Sequence, residues 1–294
     1  MNELIDFYTQ NFESYGNYLV HELGNPSWHN YFYALIVISL FVWVLEIIFP
    51  WRKEQSVFRK DFFLDLFYMF FNFFIFNLIA FVTLSNGFEN LLKKGLSLID
   101  FNIESLQLIN INEYPLFLRL ILFFLITDFI QWNVHRLLHY NKWLWNFHKV
   151  HHSVKQMGFA AHLRYHWMEI VVYRSFLYLP LAIIGGFEVD DVIIVHLFAL
   201  TIGHLNHANF RLKLGPLKYI LNNAEMHIWH HAKALPKAHR YGANFGITLS
   251  LWDYLFKTNY IPKNGRDIEL GFKNDELFPK DFLKQEIYPI DKKD

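Results

Sequence analysis

Of the 16 histidines in this chain, 14 fall between residues 135 and 239. Their spacing is more informative than their number. His135 and His139 are i and i+4; His148, His151 and His152 are i, i+3 and i+4. His204 and His207 are i and i+3, and His227, His230 and His231 repeat i, i+3 and i+4. On a helix, residues three and four apart share a face, so each group can bring its imidazoles to one place. Neutral imidazole is a ligand for iron, zinc and copper. These ten histidines are too many for one ion and suit two, with about five donors each. A pair such as His135 and His139 alone would be structural more often than not. Two HxxHH groups in one chain carry metal-ligand spacing.

Cysteine is absent. Thiolate zinc sites and cysteine-held iron–sulfur clusters are therefore excluded. A histidine-rich site with open coordination positions fits non-haem iron and oxygen chemistry, although zinc can occupy the same nitrogens. A ligating histidine usually donates its second N–H to an outer group. Asp128, His166, Glu169, Glu225 and Asn244 are the candidates for that outer layer. The other histidines read differently: His162 as an interfacial residue, His196 as a hydrogen-bonded core residue and His239 as a loop residue. His21 and His29 lie far from the cluster in sequence and are expected on the opposite side of the protein.

The elements that must hold these histidines are apolar. Hydrophobic residues make up 53% of the 294 residues and charged residues 18%, with 32 Phe. That charged share is below the roughly 25% of soluble domains. Stretches near residues 31–50, 62–84 and 116–134 approach the roughly 20 apolar residues that cross a bilayer. Two shorter ones, 170–187 and 189–202, read as a helical hairpin. The expected fold is all-α: a polytopic membrane protein with four to five membrane helices and a helical histidine-cluster region on the cytoplasmic side. Three parts follow: residues 1–119 with two spans and an amphipathic connection, 120–260 with the histidines, and a polar tail, 261–294.

Basic residues in short loops set orientation. Arg52, Lys53, Arg59 and Lys60 lie in the 51–60 loop, whereas the first 29 residues carry Glu3, Asp6, Glu13 and Glu22 without Lys or Arg. That places 51–60 in the cytoplasm and the N-terminus outside. The first pair, His135 and His139, then ends the third span and His204 and His207 end the fifth, so all groups can meet at the cytoplasmic membrane surface. The formal net charge is zero, so no nucleic-acid footprint is expected. The start of the chain lacks the basic and apolar pattern of a cleavable signal peptide.

Several motifs in this arrangement resemble the fatty acid hydroxylase/sterol desaturase superfamily. They are Asp128, Trp132, His135, Arg136 and His139, then His148-Lys-Val-His151-His152-Ser153. Further on come His207-Ala-Asn209, His227-Ile-Trp-His230-His231, Asn244-Phe245-Gly246, and Leu251-Trp252-Asp253-Tyr-Leu-Phe256-Lys-Thr258. Arg164, His166 and Glu169 resemble its bacterial members. The resemblance spans roughly residues 120–258. It implies a mostly helical membrane oxygenase that holds two Fe ions, takes O2 as co-substrate, and hydroxylates or desaturates a fatty-acyl, alkyl or sterol-like lipid. The implied compartment is the bacterial inner membrane or the endoplasmic reticulum. No Gly-rich dinucleotide fingerprint with a fitting strand and helix is visible. Electrons are therefore expected from a separate ferredoxin, cytochrome or flavin reductase. The rival function is a membrane metal transporter or metal-binding protein. Transport sites tend to lie near the bilayer midplane, whereas these histidines cluster at the ends of expected spans.

Overall fold

A computed structural model describes residues 2–27, 30–76, 86–101, 105, 107–288 and 290. His29, the stretch 77–84 of the expected second span, and the final residues 291–294 lie outside the described residues. The structure is built on helices: α1 (Asn2–Gly24), α2 (Tyr31–Ile48), α3 (Phe62–Phe71), α4 (Asn86–Ser97), α5 (Leu116–Tyr140), α6 (Lys142–His152), α7 (Trp167–Ile183), α8 (Val189–His207), α9 (Ala224–His230), α10 (Leu251–Leu255) and α11 (Phe282–Glu286). Its one sheet among the described residues pairs β1 (Ile109–Asn110) with β2 (Ile184–Gly185) in parallel.

Among these residues, α2 and α5 are long and apolar enough to cross a membrane, and α3 is a shorter apolar helix. α2 exposes Val37, Leu40, Phe41 and Val44, and α5 exposes Phe117 and Ile121. Such outward apolar faces suit lipid rather than water. The expected hairpin is present as α7 and α8, joined through β2. By length and apolarity neither joins α2 and α5, so the described residues support two such helices rather than four or five.

Ion pairs and caps fix the helix directions. Arg119 at the start of α5 reaches Glu188 at 3.0 Å and Asp191 at 3.2 Å, both at the start of α8. α5 and α8 therefore run the same way, and their histidine-bearing ends lie together. β1 and β2 close the opposite end. At the histidine end, the Asn141 side chain accepts from Trp143 and Leu144 N–H. This cap, worth about 1 kcal/mol, turns the chain from α5 straight into α6 and sets His148, His151 and His152 beside His135 and His139. α2 also ends here, since Pro50 bridges Phe210 just beyond α8.

Two basic residues of the 51–60 loop are structural. Arg59 is buried and paired with Asp65. Arg52 donates to Met157 O at 2.9 Å, and burial lowers its pKa to about 10. Lys53 and Lys60 remain as exposed charges of that loop. The segment after 261, expected as a polar tail, is packed: Leu270, Phe272, Phe278, Gln285 and Glu286 are buried. Phe272 and Phe278 join Val150 of α6 and Tyr68 of α3 in one apolar cluster.

Candidate metal centre

Nine histidines converge into two adjoining groups. His135, His139, His148, His152 and His230 form one; His151, His207, His227 and His231 form the other. Within each group, one nitrogen per residue lies within 4.8 Å of all the others, and every member is buried. The two groups abut where the His152 and His231 rings stack at 4.4 Å. Helix periodicity divides them: α6 gives His148 and His152 to the first group and His151 to the second. At the other HxxHH motif, His230 joins the first group, while His227 and His231 join the second.

The hydrogen bonds fix the chemistry of the rings. His135 Nδ1 donates to Phe245 O at 2.7 Å, His230 Nδ1 to Ala243 O at 2.9 Å, His151 Nδ1 to Arg164 O at 3.1 Å and His207 Nδ1 to Gly203 O at 2.8 Å. A carbonyl oxygen only accepts, so each of these Nδ1 atoms carries the proton. In the neutral ring, Nε2 is then a lone pair. His148 Nδ1 likewise meets Glu169 Oε2 at 2.7 Å. The inward Nε2 atoms face one another: His135 and His148 at 3.1 Å, His151 and His207 at 3.3 Å. Lone pairs directed at lone pairs repel unless a cation sits among them. With metal–nitrogen bonds of about 2.1 Å, adjacent ligands at right angles stand about 3.0 Å apart, close to these separations. His139 Nε2 is buried without a hydrogen-bond partner, as a ligand nitrogen would be. The residues present therefore fit two metal ions.

Protonation does not compete at neutral pH. Burial, then neighbouring imidazoles, hold His148, His152, His227, His230 and His231 well below the usual histidine range. Burial, with His135 beside it, takes His151 down to about 3. All six are neutral at pH 7, the form that ligates.

Supporting groups come from several elements. Glu169, at the start of α7, accepts from both His148 Nδ1 and His166 N–H. Asp253 on α10 binds Phe245 N–H at 2.9 Å, Gly246 N–H at 2.7 Å and Trp132 Nε1 at 3.1 Å. It thus sets the loop whose carbonyl orients His135. Asn244, at φ +55, donates to Met226 O and Tyr260 O and accepts from Tyr260 N–H. Gly242 has φ +123, and a Cβ there would stand 2.9 Å from His139 Nδ1; only glycine suits both conditions. After α3 the chain makes a π turn over Asn72–Phe76. Its Asn72 donates to Leu163 O at 3.0 Å, holding the segment that supplies Arg164 O. Arg164 itself is buried against Asp65, with Nε at 3.2 Å.

The remaining expected site residues are elsewhere. His204 belongs to neither group: Nε2 meets Ser39 Oγ at 3.0 Å, and Nδ1 meets His162 Nδ1 at 2.9 Å. Three residues along a helix leave side chains about 60° apart and about 4.5 Å along the axis, enough for His204 to face α2 while His207 faces the ligands. Asp128 binds Trp252 Nε1 at 2.8 Å and so steadies α10 rather than a ligand ring. Glu225 is paired with Arg211 at 3.0 Å. His166 Nδ1 accepts from Met168 N–H, with its ring held by burial to about 4. His196, expected in the core, is exposed on α8, its ring edge-on to Tyr31 at 5.2 Å. His239 packs on Tyr260, and His21 is exposed on α1. The orienting carbonyls of Gly203 and Ala243 were not legible in the sequence, because any residue type supplies a carbonyl. Asp253 stood inside a motif that carried the resemblance, and only its bonds reveal what it does.

Comparison with known proteins matches residues 120–258 to the fatty acid hydroxylase family. An ornithine lipid hydroxylase of Rhizobium tropici is 28% identical over 182 residues, 62% of this chain and 53% of that protein. The alkylglycerol monooxygenase of Homo sapiens is 34% identical over 139 residues, 46% of this chain and 29% of that protein. A methylsterol monooxygenase of Arabidopsis thaliana is 28% identical over 145 residues, 48% of this chain and 46% of that protein. The chain thus spans about half the length of these relatives or less. No solved structure matches.

Proposed function

We propose, from the premise that this chain belongs through residues 120–258 to the fatty acid hydroxylase family, that it is a membrane-bound di-iron oxygenase that hydroxylates a lipid. The observation that carries the reading is the pair of buried histidine groups, five and four, with inward Nε2 atoms and the Nδ1 atoms of His135, His148, His151, His207 and His230 tied off. The first group would hold one ion through His135, His139, His148, His152 and His230. The second would hold the other through His151, His207, His227 and His231. Four ligands in the second group leave room for a further ligand, and imidazole sites with open positions are where iron meets oxygen. When bound, the two ions would supply the activation of O2 needed to break an unreactive C–H bond.

The chain's own part is to hold, orient and exclude. Burial keeps water from the imidazoles. Phe245 O, Ala243 O, Arg164 O, Gly203 O and Glu169 fix ring tautomer and direction. The outward apolar faces of α2 and α5 suit a substrate that stays in the bilayer and approaches sideways, an alkyl, fatty-acyl or sterol-like chain. Burial of such a chain is worth about 0.8 kcal/mol per CH₂. That term gives affinity with little choice between chain lengths, so selectivity rests on polar contacts to the head group. Electrons would come from a separate ferredoxin, cytochrome or flavin reductase. The histidine side of the protein would face the cytoplasm, in a bacterial inner membrane or the endoplasmic reticulum.

The test is lipid mass spectrometry of cells given ¹⁸O₂, with the wild type and His151→Ala. A lipid gaining one labelled oxygen, lost in His151→Ala, supports hydroxylation. A lipid lighter by two hydrogens and unlabelled makes the enzyme a desaturase. If soluble metabolites change and lipids do not, the lateral-substrate reading falls.

A further inference from the structure

The segment after α8 combines three properties. Residues 211–220 carry Arg211, Lys213 and Lys218 and no acid. Their large apolar side chains point outward: Leu212, Leu217, Tyr219 and Ile220 are each about half exposed, from 45% to 53%. Yet the backbone is firmly built. It starts where Trp51 N–H binds Asn209 O at 2.9 Å and Pro50 bridges Phe210. It ends where Ser250 N–H binds Ile220 O at 3.0 Å, Ser250 Oγ donates to Lys218 O at 2.7 Å, and Leu221 bridges Leu249. A glycine at φ +54, Gly215, makes the turn between Lys213 and Lys218. A tethered loop that keeps four large apolar side chains outward is costly in water and favourable at a lipid boundary.

Its place in the fold supports this. Pro50 and Trp51 lie just past the end of α2, one of the two helices among the described residues long and apolar enough to cross a membrane, so the loop begins at the level where that helix ends. Its charges suit the same level. Arg211 neutralises Glu225 at 3.0 Å, while Lys213 and Lys218 line an open cleft of about 440 Å³ with Tyr219, Asn223 and that paired Glu225. The Lys218 ammonium lies 5.1 Å from the Tyr219 ring centroid, an amphipathic pair of the kind that places a charged head among lipid headgroups.

The geometry points to residues 211–220 as an interfacial docking element that seats Leu212, Leu217, Tyr219 and Ile220 in the headgroup–acyl boundary and receives anionic phospholipid headgroups in the Lys213–Lys218 cleft. This rests on the reading of α2 as a membrane span and adds a lipid preference that the reading does not contain.

Because the chain has no cysteine, single cysteines give clean probes. Leu217→Cys, Val44→Cys on the exposed face of α2 and Lys280→Cys in the C-terminal part would each carry a nitroxide. The labelled full-length proteins would be placed in nanodiscs of phosphatidylcholine with or without phosphatidylglycerol. The expected result is that the label at 217 is more accessible to oxygen than to a water-soluble nickel chelate, as at 44 and opposite to 280. Phosphatidylglycerol should strengthen this, and Lys213→Gln with Lys218→Gln should remove the strengthening. Lipid at 44 with water at 217 overturns the docking element and leaves the span intact. Water at both overturns the span reading and the docking element with it. Insertion at 217 that ignores lipid charge overturns the headgroup cleft.

Discussion

Glu169→Gln isolates one feature of the metal centre, a carboxylate with two buried duties. One oxygen takes the proton-bearing Nδ1 of His148 at 2.7 Å, and the other takes His166 N–H at 3.2 Å. Glutamine keeps the size but offers one oxygen and one NH₂. Whichever donor it serves, its NH₂ faces the other. Losing such a partner typically costs 10–100-fold in metal affinity, or about 1.4–2.7 kcal/mol. The loss should fall on the group that contains His148, leaving the group of His151, His207, His227 and His231 intact. Glu169→Ala should cost more, since two buried donors then lack an acceptor, each worth about 1–3 kcal/mol. The assay is a chelator titration of metal-loaded protein in detergent, with metal content per chain measured alongside circular dichroism. In Glu169→Gln one ion should leave at 10–100-fold lower chelator strength, while the second leaves as in the wild type. Release curves that superimpose on the wild type would refute the orienting role. Equal weakening of both ions would refute the division into two groups.

Three further expectations follow from the same geometry. His204→Ala should retain both ions because its ring serves Ser39 and His162, whereas His207→Ala should lose one; metal analysis of the purified variants decides this. The buried imidazoles have folded pKa values below the unfolded value near 6.5, so below that pH the unfolded chain binds more protons and stability falls as acid is added. For the metal-free protein, each such group contributes about 1.4 kcal/mol of loss per pH unit down to its folded pKa, about 3 for His151. Thermal unfolding of chelated protein at pH 7.5 and 5.5 should therefore show a lower Tm at 5.5, and an unchanged Tm would count against it. Finally, Ser56→Cys and Lys280→Cys should react together with an impermeant thiol reagent added from the cytoplasmic side and Ser97→Cys from the other. Equal sidedness of positions 56 and 97 would remove the second crossing.

The convergence of nine of the ten grouped histidines and the helical character of their supports were legible in the residue order. Helical periodicity converts spacing into facing, and that conversion is local: i, i+3 and i+4 on α6 and α9 need no knowledge of the rest of the chain. The same rule fails where a face is ambiguous. It joined His204 to His207, and only the packing of α8 against α2 gives His204 to Ser39. It also could not divide an HxxHH triplet, since which imidazole meets which neighbour depends on where α5 and α8 stand. The long apolar helices at 31–48 and 116–140, expected near 31–50 and 116–134, were equally plain, because length and apolarity are properties of the segment alone. The packed end of the chain, 270–288, was read as a polar tail. Its charged surface dominates its composition, and the few apolar residues that bury against α3 and α6 carry no periodic signal.

The sequence by itself therefore determined the grouping of histidines over four helix faces and the apolar supports, since these depend on residue type and spacing along one helix. The tertiary structure decided the rest: which nitrogen of each ring points inward, which carbonyl holds the other, and which carboxylate does something near the ligands. Glu169 touches His148, while Glu225 is taken by Arg211 and Asp128 by Trp252. Three carboxylates that stood as equal candidates in the sequence are separated by which group each one touches in the fold. Hydrogen bonds act only over a few ångströms, and no spacing along the chain encodes that contact.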